Sequence, residues 1–156
     1  MNELAELLIK NNISIGTVES FTVGNFATML GNIPGISKVY KGSLITYQSE
    51  TKERLLSIDH ALIEKYGVVS KEIATLMCVN GKSILDTDLC VSFTGNAGPD
   101  AMEGKPVGEV YIGIAYQDVV VYKLNLTGSR QEIASKAVEF AKKKIIEKIN
   151  ENLKKN

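Results

Sequence analysis

Leu89-Cys-Val-Ser-Phe-Thr94 is a short, nearly all-apolar run. Such a run suits a central β-strand covered on both faces. The next stretch is punctuated by glycine and proline. Gly95–Pro106 holds three glycines and two prolines and reads as a loop. Val107–Tyr116 and Val119–Leu126 then read as two strands of a hairpin, joined by Gln117 and Asp118. From Gly128 the chain becomes a long helix, with Ile133, Ala137, Phe140, Ala141, Ile145 and Ile149 recurring at steps of three and four. Its lysine-rich end, Lys142 to Lys155, is interleaved with Glu139, Glu147 and Glu151 and reads as a solvated face.

Upstream of the central run, strands and helices alternate. Asn2–Asn11 carries Leu4, Leu7 and Leu8 at helical spacing, with Glu3 and Glu6 early and Lys10 late. Ile13–Glu19 alternates and is rich in β-branched residues, so it reads as a strand. Thr22–Leu30 reads as a helix stopped by Gly31–Gly35. A second strand is expected at Ser43–Tyr47, then a helix over Glu50–Leu56. Asp59 can cap a short helix ending at Tyr66, and Ser70 a longer one reaching Leu85. Strands separated by helices, then a hairpin and a closing helix, imply an α/β fold: a mixed sheet sandwiched between two helical layers, in one domain spanning 1–156.

The 156 residues are 44% hydrophobic and 23% charged, which suits a globular chain able to bury a core. Eighteen basic and eighteen acidic residues cancel, so no global field favours nucleic acid or an acidic membrane. No apolar run approaches the roughly 20 residues that span a bilayer. Two thiols, Cys78 and Cys90, with no signal peptide, suit a reducing cytosol, and Cys90 reads as a buried core residue. With His60 the only histidine, a histidine triad or multi-histidine metal site is not expected.

Ligands in such sheets bind at the carboxyl ends of strands. Ser20 lies at one such end, where a serine is either a helix cap or an exposed nucleophile. Lys52 is either a surface charge or a base that could activate a serine once burial lowers its pKa. The loop from Thr94 to Gly108 is either a structural turn or a backbone cradle for a ligand. Arg130, opening the last helix, is either a surface ion-pair partner or a phosphate ligand.

Several segments taken together resemble the C-terminal domain of the competence-damage-inducible protein CinA, the nicotinamide mononucleotide (NMN) deamidase family. They are Val18-Glu-Ser-Phe-Thr-Val-Gly24, Pro34-Gly-Ile-Ser37, Gly42–Lys52, Tyr66-Gly-Val-Val-Ser70, Thr94-Gly-Asn-Ala-Gly-Pro99, Lys105-Pro-Val-Gly108 and Gly128-Ser-Arg130. The resemblance implies a three-layer α/β/α fold and a cytoplasmic, stand-alone amidohydrolase forming homodimers or larger oligomers. It implies hydrolysis of NMN to nicotinate mononucleotide and ammonia, without cofactor or metal and with no nucleic-acid or membrane partner. Ser20 falls on its nucleophile and Lys52 on its base, with Tyr47 and Thr94 in the catalytic pocket. Glu19, Thr22, Gly24, Gly95, Ala97, Gly98 and Arg130 fall on substrate-binding positions. Backbone N–H groups at the start of the second helix are expected to hold the oxyanion.

Five positions depart from the family pattern. Phe21 stands where cysteine is usual and Val23 where glycine is usual. Ala101 and Met102 replace paired glycines in a loop one residue shorter, and Ala134 replaces a second arginine. These departures set an alternative beside deamidation: a nucleotide-binding member with little or no turnover, or an amidohydrolase for another small amide.

Overall fold

The computed structural model describes residues 1–155. In chain order its elements are α1 (Asn2–Lys10), β1 (Ile15–Glu19), α2 (Asn25–Gly31), a 3-10 turn (Ile36–Lys38), β2 (Tyr40–Ile45), α3 (Ser49–Leu56), α4 (His60–Tyr66), α5 (Lys71–Leu85), β3 (Leu89–Gly95), β4 (Glu109–Tyr116), β5 (Asp118–Asn125) and α6 (Arg130–Lys155). The sheet runs in the order β2-β1-β3-β4-β5. The apolar run is therefore its middle strand, and every residue of β3 is buried. β1 pairs in parallel with β2 and β3, while β4 and β5 add on antiparallel. The sheet is mixed, as the alternation of elements implied.

Successive strand residues point to opposite faces, and the two faces bury separate cores. Val91 and Phe93 of β3 and Ile112 and Ile114 of β4 pack with Leu4, Leu8, Phe26, Ala137 and Ile145 from α1, α2 and α6. The Phe26 and Phe93 rings lie 5.5 Å apart, tilted by 41°. Cys90 and Val18 face the other way, onto Leu56, Ile63, Ile73 and Met77 of α3, α4 and α5. Each such buried side chain contributes about 1.5–3 kcal/mol. Helix α5 lies very close to the sheet. A Cβ on Gly81 would sit 2.3 Å from Val18 Cγ2, and one on Gly113 would sit 2.7 Å from the Ala74 carbonyl. Any side chain at either glycine would push the helix off the sheet.

The caps explain where helices begin. Asp59 accepts the Ala61 N–H and Ser70 accepts the Ile73 N–H, both as the sequence indicated. Helix α6 opens on a reciprocal capping box, Ser129 with Glu132, whose Ser-x-x-Glu signal is present in the sequence.

Of the boundaries that differ from the sequence reading, three have a local reason. Helix α2 begins at Asn25, not Thr22, because Val23 (φ 47) and Gly24 (φ 81) are both left-handed and cannot continue a helix. Strand β2 ends at Ile45, not Tyr47, because the carbonyls of Thr46 and Tyr47 turn inward to accept hydrogen bonds from Lys52. The hairpin link shrinks to Gln117, since Asp118 pairs with Tyr116 and Gln117 alone takes a positive φ of 61.

Val23 is 61% exposed and β-branched, in a region that costs a non-glycine residue about 1–2 kcal/mol. Glycine relieves that strain but gives back part of the gain through the entropy of the unfolded chain. Val23→Gly is expected to stabilise the protein by about 0.5–1 kcal/mol. Thermal unfolding checks this as a melting point higher by a few degrees.

Candidate active site

The carboxyl ends of β1, β2 and β3 lie on the same side of the sheet, because those three strands are parallel. Ser20 follows β1 directly. Its N–H still donates to Phe93 O of the neighbouring strand at 3.0 Å, which anchors it at the sheet end. Its hydroxyl caps no helix. It lies 3.1 Å from Lys52 Nζ and 3.4 Å from the Tyr47 carbonyl. Of the two roles open to a serine at this position, the helix cap is excluded.

Lys52 stands one turn into α3 and is fully buried. Its Nζ donates to Thr46 O at 2.6 Å and to Tyr47 O at 3.2 Å, and reaches Ser20 Oγ. Among the described residues, no carboxylate pairs with it at contact distance. Loss of hydration on burial therefore lowers its pKa from 10.5 to about 8, opposed by the more distant Glu103 carboxylate. The site suits the neutral amine. An NH₂ group has two donors and one lone pair; two carbonyls take the donors, and the lone pair is left for the Ser20 hydroxyl.

Ser20, with Lys52 buried behind it, opens on a cavity of about 550 Å³, lined by Ser20, Phe21, Tyr47–Glu50, Val68, residues 94–102 and Arg130. Thr94 lines it, with its hydroxyl donated to Val68 O at 2.6 Å. Gly95, Ala97 and Gly98 supply its wall. Asn96 holds that wall in shape: its Oδ1 accepts the Gly98 N–H, and its Nδ2 donates to Lys105 O. Arg130 forms no ion pair among the described residues. Its guanidinium donates to the Gly98 carbonyl and, at 2.6 Å, to the Tyr47 hydroxyl, so it ties the loop to the far rim of the cavity.

Three expected substrate contacts do not reach this cavity. Glu19 is buried, pointing into the other layer. Its carboxylate accepts the Ala27 N–H at 2.9 Å, the Phe26 N–H at 3.3 Å and the hydroxyls of Thr22 and Thr17 at 2.6 and 3.2 Å. It is the cap of α2, and Thr22 is its partner. Gly24 supplies the left-handed turn residue before the helix. Glu19→Gln keeps the shape but turns an NH₂ toward these donors. It is expected to destabilise the fold by about 2–3 kcal/mol, measured by denaturant unfolding.

The expected oxyanion donors narrow for the same reason. The first amides of α2 are already engaged: Asn25 N–H with Thr22 O, Phe26 and Ala27 with Glu19, and Thr28 with Gly24 O. Among the described residues, the turn's own amides at Phe21 and Thr22 have no acceptor. They adjoin Ser20 in sequence.

Sequence reasoning missed Thr46, Asn96 and Glu103. Thr46 acts through its carbonyl, which no residue type announces. Asn96 sits between glycines, a turn signal that identifies it in hindsight. Glu103 contacts a segment 35 residues away in sequence, and no local pattern marks it.

The α/β/α sandwich thus holds a serine hydroxyl against a buried lysine at the carboxyl ends of its parallel strands. Residues 1–149 match the family model described as CinA C-terminal domain, and the chain belongs to that family. Relatives bearing the competence-damage inducible name include one from Levilactobacillus brevis, 41% identical over 137 residues and 86% of this chain. Another, from Bacillus thuringiensis, is 38% identical over 148 residues and 94% of this chain. The chain spans about a third of the length of these curated relatives, 33% and 36%. Among solved structures, a CinA superfamily protein from Escherichia coli superposes with a TM-score of 0.90 at 26% identity, covering 92% of this chain and 85% of that one. The competence/damage inducible protein CihA from Agrobacterium tumefaciens gives a TM-score of 0.87 at 28% identity, covering 95% and 94%. No described helix is long and apolar enough to cross a membrane.

Proposed function

We propose that this protein hydrolyses the carboxamide of NMN, giving nicotinate mononucleotide and ammonia, with Ser20 as nucleophile and Lys52 as base. The observation that carries this is the buried Lys52 amine, with a pKa of about 8, 3.1 Å from Ser20 Oγ at a cavity wall. At pH 7 about one Lys52 in ten is already neutral.

Ser20 Oγ attacks the amide carbon while its proton passes to Lys52 Nζ. The carbonyl oxygen becomes an oxyanion, held by the N–H groups of Phe21 and Thr22. One good donor of this kind is worth about 3–4 kcal/mol. When the intermediate collapses, the C–N bond breaks and Lys52 returns the proton to the leaving nitrogen, releasing ammonia. The nicotinoyl group remains on Ser20 as an ester. Water then attacks that ester, Lys52 takes the water's proton, and Ser20 recovers its hydrogen as the acid leaves. The glycine-rich wall and Arg130 provide backbone and guanidinium donors for the ribose phosphate.

Incubating the purified protein with NMN tests this. Stoichiometric ammonia and nicotinate mononucleotide are expected. NMN that binds in calorimetry but yields no ammonia would instead support a nucleotide-binding member without turnover.

A further inference from the structure

Glu103 lies in a tight turn whose chemistry does not suit it. Lys105 N–H donates to Met102 O at 2.8 Å, and the residues between, Glu103 and Gly104, have φ values of 56 and 68. Turns with two central left-handed residues favour glycine, asparagine or aspartate. Glutamate at the first of these positions is strained, and retained strain near a functional site calls for a compensating interaction.

That interaction reaches from the glycine-rich loop to the segment before α5. The Glu103 carboxylate accepts the Val68 N–H at 3.0 Å and the Val69 N–H at 3.3 Å. It also lies against Gly67: a Cβ there would come within 2.6 Å of Glu103 Oε2, so only glycine leaves room for the carboxylate. The segment it grips is part of the cavity. Val68 lines it, and the Val68 carbonyl holds the Thr94 hydroxyl. On the other side of the grip, Asp100, Ala101 and Met102 line the same cavity. One exposed side chain thus fastens the tip of the glycine-rich loop to the segment before α5, and both segments contribute residues to the cavity wall.

We propose that Glu103 is a positioning residue that latches residues 99–105 over the cavity, so that Ala101 and Met102 close on a bound mononucleotide. The inference rests on the mononucleotide reading of the cavity only for what the latch encloses. The latch itself is a property of the protein alone.

Glu103→Gly separates the latch from the turn. Glycine suits the left-handed backbone, so a residue serving only the turn would be replaced without loss. The latch predicts instead that the Val68 and Val69 amides exchange hydrogen at least about tenfold faster in Glu103→Gly, while the melting point holds within a few degrees. It also predicts a KM for NMN raised about tenfold, with the loss falling on KM rather than on kcat. Glu103→Gln, which keeps one acceptor oxygen, should fall between. Exchange at Val68 and Val69 equal to wild type overturns the latch, whether or not NMN is turned over. Fast exchange with unchanged KM for NMN, or with unchanged calorimetric affinity if wild type does not turn it over, overturns its role in retaining the nucleotide. Absence of ammonia from the wild type bears on the deamidase reading alone.

Discussion

Under the proposed reading, Ser20→Ala is expected to abolish ammonia release from NMN, with a loss of at least about 10⁴-fold in kcat, in a protein that should still fold and still bind the nucleotide. The size of the loss reflects the role. A nucleophile has no substitute: without an oxygen at that point no acyl ester forms, and Lys52 has no proton to take. Removing the nucleophile of comparable hydrolytic sites leaves only the residual rate from binding and oxyanion stabilisation. The retained fold reflects the contacts. The Ser20 hydroxyl caps no helix, and its backbone N–H, which alanine keeps, makes the anchoring bond to Phe93 O. Melting should shift by only a few degrees. Parallel measurements of NMN affinity by calorimetry and of ammonia by a coupled assay check the split. Undiminished turnover in Ser20→Ala would remove Ser20 as nucleophile.

Legibility in the sequence divides along one physical line: residues whose environment is set by their own chemistry can be read, and those whose role is set by backbone placement cannot. Leu89–Thr94 reads as the central strand because a nearly all-apolar run has only one comfortable place in an α/β sheet. Asp59 and Ser70 read as caps because their side chains do the capping. The meeting of Ser20 with Lys52 spans 32 positions, and no local pattern encodes it; only the family resemblance suggests it. Its setting is less legible still. The acceptors that fix Lys52 Nζ are the carbonyls of Thr46 and Tyr47, which every residue type carries. Tyr47 stands out in the sequence for its side chain, yet it is its carbonyl that holds the lysine, while its hydroxyl accepts from Arg130. The resemblance sets Glu19 among substrate-binding positions, and no local pattern announces that it caps α2. Its role is decided by the position of two amides at residues 26 and 27, set by the left-handed turn at Val23 and Gly24.

Lys52 carries the second large effect, and its burial gives it a signature in both rate and stability. Lys52→Met removes the base and should lower kcat/KM for NMN by about 10³-fold or more, within the range of general-base losses compounded by a stranded nucleophile. Lys52→Arg should fail as badly, since a guanidinium keeps the charge and never gives it up at working pH. That pairing shows whether the site needs a proton acceptor or only a cation. In the wild type, kcat/KM should rise with pH through a midpoint near 8, the pKa that burial gives the amine, and neither variant should show that limb. Stability should respond to pH with a definite sign. The folded pKa of about 8 lies below the ordinary 10.5, so between those values the unfolded chain binds more protons than the native one, and stability rises with pH. Below pH 8 the native state bears the full penalty of a buried ammonium, about 3 kcal/mol relative to pH above 10.5. Methionine bears none. The stability of wild type minus that of Lys52→Met should therefore climb by about that amount between pH 7 and pH 10.5. Other titrating groups act on both proteins alike and drop out of the difference. Urea unfolding of the pair at a series of pH values measures the climb. A difference that stays flat would mean that Lys52 is as well solvated in the native state as in the unfolded one, and an amine so placed has no lowered pKa with which to activate Ser20.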